Sequence, residues 1–164
     1  MNLEIIVEGN EWDEKAVESI AKTCIQAIFS EVGLDGRNVE VCLLFTNDSE
    51  IRTLNRTYRK VDAPTNVLSF PADDPTKITA GTKESTPCIL GSIALASGII
   101  RREAQEQSKI FYDHTRHLLV HGMLHLLRYN HEDADQAKRM EELEVKILRK
   151  LGVADPYAEE EKGS

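Results

Sequence analysis

The sequence predicts an α+β fold: one mixed sheet of about four strands packed by about five helices. Three observations lead there. Four short segments rich in β-branched and apolar residues alternate with longer ones whose apolar residues recur three and four positions apart. Their order, β-α-β-α-β-β-α-α-α, mixes strands and helices along the whole chain, which suits one sheet with helices packed on it. A length of 164 residues, 41% of them hydrophobic, is enough for a single domain whose core needs neither disulfide nor metal.

The elements follow in order. "LEIIVE" (3–8) ends at Gly9-Asn10 and reads as a strand. From Asp13 to about Val32, Ala16, Val17, Ile20, Ala21, Cys24, Ile28 and Val32 keep helical spacing until "GLDGR" breaks it. "VEVCLLFTN" (39–47) fits a mostly buried strand. Asn47 or Asp48 then caps a short helix with Ile51, Leu54 and Tyr58 on one side and Arg52, Arg56 and Arg59 on others. "TNVLSFP" is a strand ended by Pro71, and residues 72–87, without an apolar period, are expected to form a flexible loop. "CILGSIALAS" (88–97) is a buried strand, with Ser97 expected to cap a helix from Gly98 towards Gln107. Helices are expected from Phe111 to Leu127 and from Asp133 to Leu151, the latter stopped by Gly152. The domain is placed at 1–155, with 156–164 as an acidic, flexible tail.

Composition excludes several classes. The start "MNLEIIVEGNEW" has no basic region ahead of an apolar one, and no apolar run approaches the roughly 20 residues of a membrane span. Cys24, Cys42 and Cys88 are scattered and odd in number, as expected of reduced thiols in a cytosolic protein, with Cys42 a small buried hydrophobe. A net charge of −8 argues against non-specific binding to nucleic acid. The charge is uneven, however: residues 51–116 hold ten Lys/Arg against seven Asp/Glu, so a local basic face is compatible with an acidic whole.

Four of the five histidines lie in "HLLVHGMLHLLRYNHED" (117–133). On a helix His114, His117, His121 and His125 fall on one stripe. They cannot all hold one ion, since eight residues separate His117 from His125, about 12 Å along the axis. Pairs four apart can converge, either 117/121 or 121/125. His131 lies beyond the helix, and a turn at Tyr129-Asn130 would fold it back over the last turn, nearest to 121/125. Three imidazoles with a fourth position open is the catalytic rather than the structural pattern. The spacing matches that of metzincin peptidases, but Gly122 stands where their catalytic Glu would be and Arg128 where their turn glycine would be.

"HLLVHGMLHLLRYNH" resembles the signature of the YbeY family of metal-dependent endoribonucleases. "LNRTYRKVDAPTNVLSFP" (54–71) and "LGSIAL" (90–95) are similar to two further motifs of that family, in the same order. The resemblance implies a zincin-like metal site on a helix and its following turn, with His121, His125 and His131 holding one zinc ion. It implies that Arg59 contacts RNA phosphate beside the metal, a role that suits its planar fork. Four positions differ from the usual family residue: Ser92, Arg128 and Asn130 stand for Asp, Gly and Asp, and Asn66 is the rarer of two accepted residues. On this resemblance Ser92 is expected to remove a carboxylate near the site, and Arg128 to make a positive-φ turn costly.

The function implied is a zinc-dependent, single-strand-specific endoribonuclease of the cytoplasm, acting in ribosomal RNA maturation and ribosome quality control. His117 is a candidate accessory residue, and Arg56, Lys60, Arg101 and Arg102 are candidate RNA-binding residues. The partners expected are ribosomal RNA and ribosomal proteins or ribosome-associated factors, with no membrane. The alternative is a non-catalytic ribosome-assembly factor with a structural zinc site, and RNA cleavage with and without a chelator separates the two.

Overall fold

A computed structural model of the protein describes residues 1–79 and 87–157. Its strands are β1 (Asn2–Val7), β2 (Val39–Thr46), β3 (Val67–Pro71) and β4 (Cys88–Ala96). Its helices are α1 (Glu14–Val32), α2 (Asp48–Arg59), α3 (Thr76–Thr79), α4 (Ser97–Glu106), α5 (Phe111–Leu126) and α6 (Ala134–Lys150). The strands form one sheet in the order β1-β2-β4-β3, parallel except for β3, which runs antiparallel to β4 at the edge. The expected α+β architecture is therefore observed.

Alternation along the strands divides the core. Val39, Val41, Leu43 and Phe45 of β2 and Leu90, Ile93 and Leu95 of β4 share one buried cluster with Ile20 and Ile28 of α1, Leu119 and Met123 of α5 and Leu148 of α6. On the other face Leu44, Leu68, Ala94 and Ala96 meet Ile51 and Leu54 of α2 and Ile99 of α4. Helix α5 buries most of its circumference, which marks a central rather than a surface helix. Beyond its first two turns, the edge carrying His117, His121 and His125 is the part that stays partly open.

Helix ends follow local chemistry in most places. Asp13 Oδ1 accepts from the Lys15 and Ala16 amides, Asn47 Oδ1 from Glu50 and Asp133 Oδ1 from Gln136, each meeting an otherwise orphaned donor. The expected cap at Ser97 is not made. Ser97 is the first residue of α4, and its buried Oγ has no partner. Asp48 of α2 reaches across instead: Oδ1 accepts from the Ile99 amide at 2.9 Å, and Oδ2 from Arg102 at 3.0 Å. Gly98 permits this approach, since a Cβ there would lie 2.4 Å from Asp48 Oδ2.

Other expectations are corrected. The stretch 72–87 does not begin as a loop: the Ala72 and Asp73 amides continue the ladder to the Leu90 and Ile89 carbonyls, and α3 follows, with Asp74 Oδ1 accepting from the Thr76 amide. Residues 80–86 of that stretch lie outside the described residues. Cys42 is only half-buried, because it sits on the thinly covered face, whereas Cys24 is buried deeply enough to push its thiol up to about 12. Pro156 is buried, and the Tyr157 hydroxyl donates to Glu144 at 2.8 Å, so these two residues belong to the folded body rather than to a tail. The rest of the expected tail, 158–164, lies outside the described residues.

Opposite Glu40 and Val41 of β2, β4 carries one extra residue, Leu90, between Ile89 and Gly91, and Gly91 takes φ 144°. A Cβ at Gly91 would lie 2.3 Å from the Phe70 carbonyl oxygen. Gly91→Ala is expected to destabilise the fold by about 2–3 kcal/mol, through backbone displacement at a strained φ. Urea denaturation checks this; an unchanged midpoint would show that β3 shifts freely.

Candidate metal centre

The site is built where α5 ends. The last turn closes with the Arg128 amide on the His125 carbonyl and the Tyr129 amide on the Leu124 carbonyl, both at 3.0 Å. Arg128 takes φ 71°, so the positive-φ turn that its side chain disfavours is adopted all the same. Asn130 then turns the chain by accepting from the Glu132 amide through Oδ1 at 3.1 Å. His131 is thereby folded back: its ring stacks on His121 with centroids 5.1 Å apart and lies 5.2 Å from the ring of His125.

One nitrogen from each of His121, His125 and His131 lies within 4.8 Å of the others, and this cluster could hold a metal ion. The Nε2 atoms of His121 and His125 are 3.0 Å apart. Burial first, and then the neighbouring His121 and His131, lower the pKa of His125, which favours the neutral, ligating form.

Glu144 of α6 sets the orientation of this group. It has no exposed surface, and its two oxygens accept from His121 Nδ1 at 2.8 Å, His117 Nε2 at 3.0 Å and the Tyr157 hydroxyl at 2.8 Å. Burial alone would raise its pKa, but the hydrogen bonds from His117, His121 and Tyr157 outweigh it and bring the carboxyl down to about 2. An ionised carboxylate only accepts, so Nδ1 of His121 carries the hydrogen. Its Nε2 is left with a lone pair directed towards His125, which suits a cation bound there and supports a metal in this donor set.

A cleft of about 440 Å³ opens beside the cluster, lined by His121 and His125 together with Arg59, Ser69, Arg128 and Tyr129. Arg59, the last residue of α2, donates to the Ser69 carbonyl and lies over the Phe70 ring, 5.8 Å from its centre. Ser69 Oγ in turn donates to the Gly122 carbonyl at 3.1 Å. Gly122 is thus a packing residue: a Cβ there would meet Ser69 Oγ at 3.1 Å and Ile93 at 3.3 Å. A peptidase-type glutamate has no room at this position.

The other candidates are placed elsewhere. His117 does not line the metal cleft; it holds Glu144 and faces a second cleft with Asn66, Glu103, His114 and Tyr157. Arg56 lies beside Asp62 at 3.9 Å, Arg102 is paired with Asp48, and Arg101 lies over the Phe111 ring at 4.4 Å. None of these three, nor Lys60, lines the cleft. Ser92, expected near the site, shares a sheet face with Cys42 and Leu44, opposite the face against α5, and does not line the cleft. Glu144 and Tyr157 escaped sequence analysis because α6 reads as an ordinary amphipathic helix with many acidic residues; an acid on its buried face was the available signal.

Residues 3–152 match a family model described as Endoribonuclease YbeY. The chain is 43% identical over 160 residues to an endoribonuclease YbeY of Bradyrhizobium sp., covering 97% of this chain and 94% of that one. It is 42% identical over 160 residues to that of Bartonella henselae, covering 97% and 98%. Among solved structures it is similar to the solution structure of TM1509 from Thermotoga maritima, with a TM-score of 0.63, 25% identity, and coverage of 98% of this chain and 93% of that one.

The orienting role of Glu144 predicts that Glu144→Gln lowers metal affinity about 10–100-fold with the helical content retained. Chelator-competition titration measures it. In the same assay His125→Ala is expected to lose the metal, whereas His117→Ala weakens it less than tenfold. Equal loss in both variants would place the ligands elsewhere on the stripe.

Proposed function

The chain belongs to the YbeY endoribonuclease family, and from that premise we propose that it is a zinc-dependent, single-strand-specific endoribonuclease acting in ribosomal RNA maturation and ribosome quality control. One observation carries this reading: a three-imidazole cluster and an anchored arginine share one open cleft. Three nitrogen donors suit zinc on ligand type. A structural zinc site normally closes with four protein ligands, and among the described residues the cluster has three, which favours catalysis over the assembly-factor alternative.

His121, His125 and His131 would hold the zinc ion, which would supply Lewis-acid polarisation of the scissile phosphate and activation of water. The chain's own residues do the rest. Glu144 fixes His121 in the tautomer that presents Nε2, and His117 and Tyr157 keep Glu144 ionised. Arg59 is held in place by the Ser69 carbonyl and the Phe70 ring. Its remaining donors are thereby pre-positioned for a phosphate oxygen, where they stabilise charge that grows on the phosphodiester. Tyr129, Val67 and Pro71 give the cleft a part-apolar wall against which an unstacked base can lie, which suits a single strand better than a duplex.

Ribosomal RNA is the substrate in this proposal, with ribosomal proteins or ribosome-associated factors presenting it in the cytoplasm. Among the described residues no helix is long and apolar enough to cross a membrane.

The test is cleavage of a labelled single-stranded RNA by the metal-loaded protein. Activity is expected to disappear with chelator, return with zinc, and be absent in His121→Ala. Arg59→Glu is expected to abolish cleavage with metal content unchanged and stability altered by less than about 1 kcal/mol, because the side chain is exposed. Arg59→Lys keeps the charge without the fork and should retain part of the rate. Wild-type cleavage by Arg59→Glu would remove Arg59 from the mechanism, and chelator-resistant cleavage would remove the metal.

A further inference from the structure

We propose that Arg128 is a second phosphate-binding residue of this cleft, gripping a different phosphate of the RNA strand that Arg59 holds. The proposal rests on the endoribonuclease reading above and adds a residue to it.

The first observation is conformational. Arg128 occupies φ 71°, a region that disfavours a residue with a side chain, at the turn that delivers His131. Folding contacts do little to offset that strain. The side chain is exposed, and its hydrogen bonds, Nη2 to the Ala72 and Asp73 carbonyls, are long at 3.4 and 3.5 Å. A strained residue beside a site, with weak contacts of its own, points to a role in that site.

The second observation is position. Arg128 lines the same cleft as His121, His125 and Arg59. Arg59 is anchored on the Ser69 carbonyl and Arg128 lies against that of Ala72, three residues further along the same extended chain. That spacing is about 10 Å along a strand. The two forks therefore lie along one line at the edge of β3, beside the metal cluster, an arrangement suited to separate phosphates of one extended strand.

The third observation is charge. The protein carries −8 overall, so it must concentrate cations where RNA binds. Several arginines on neighbouring elements are already committed: Arg52 and Arg56 to Asp62, Arg102 to Asp48, and Arg101 to the Phe111 ring. Among the described residues, Arg59 and Arg128 are the guanidinium groups that line the cleft. The competing role for Arg128 is to tie down the segment around Asp74, whose carboxyl its charge helps to lower after the hydrogen bonds from Thr76.

The experiment compares metal-loaded wild type, Arg128→Gly and Arg128→Lys in steady-state cleavage of a short labelled single-stranded RNA over a range of salt, with thermal melts alongside. A phosphate grip predicts that Arg128→Gly raises KM about tenfold with kcat nearly unchanged, since uniform binding is lost. The plot of log(kcat/KM) against log salt should become shallower by about 0.7, one phosphate contact on a single strand. Relief of the positive φ should raise the melting temperature by about 2–4 °C. Arg128→Lys should keep the wild-type salt slope. A wild-type KM and salt slope in Arg128→Gly would overturn the proposal, and a lowered melting temperature with unchanged KM would assign Arg128 to the Asp74 segment instead. Absence of RNA cleavage by wild type would overturn the endoribonuclease reading itself, and this proposal with it.

Discussion

Burying a carboxylate costs several kcal/mol unless donors meet its oxygens, and Glu144 meets three within about 3 Å: two imidazoles of α5 and a phenol from beyond α6. The metal cluster depends on that arrangement. It fixes the tautomer of His121 and pins α6 to α5. It also draws Tyr157 back onto the domain. The same bonds make the site sensitive to changes far from the metal, because any shift of α6 relative to α5 separates Glu144 from its donors.

The cleft exists because two backbones come unusually close. Gly122 lets β3 lie against α5, with the hydroxyl of Ser69 on a helix carbonyl, and Gly91 lets the β3–β4 pair pass the Phe70 carbonyl. Arg59 is then held by the carbonyl of that same Ser69, so the seam that joins sheet to helix also sets the distance between the arginine and the imidazoles. The absence of a peptidase-type glutamate has the same origin. Position 122 faces the strand, and a carboxylate there would force the seam apart.

Charge is arranged in a comparable way. Acidic residues capture most neighbouring basic side chains in local pairs, and exposed pairs of that kind contribute little to stability. Their effect here is selective: they pair the flanking arginines, whereas Arg59 and Arg128 line the cleft. In the proposed reading, attraction of a polyanion to those two cations is local and weakens with salt.

Much of this was legible in the sequence. The three clustered imidazoles follow from helical spacing and a chain reversal, both local properties, and so do the strands of the sheet, the cap at Asn47 and the helix starts at Asp13 and Asp133. Arg59 was legible only through the likeness of its surrounding motif. What required the tertiary structure involves partners distant in sequence. Glu144 lies 23 and 27 residues from the histidines it holds, and Asp48 lies 51 residues from the amide it caps in place of Ser97. Arg128 read as a departure from a glycine, and the fold makes it a cleft residue. Local sequence determined which side chains could act, because periodicity and capping operate over a few residues. Packing between elements decided which of them meet, because a buried charge or a close backbone approach is settled only when every neighbour is in place.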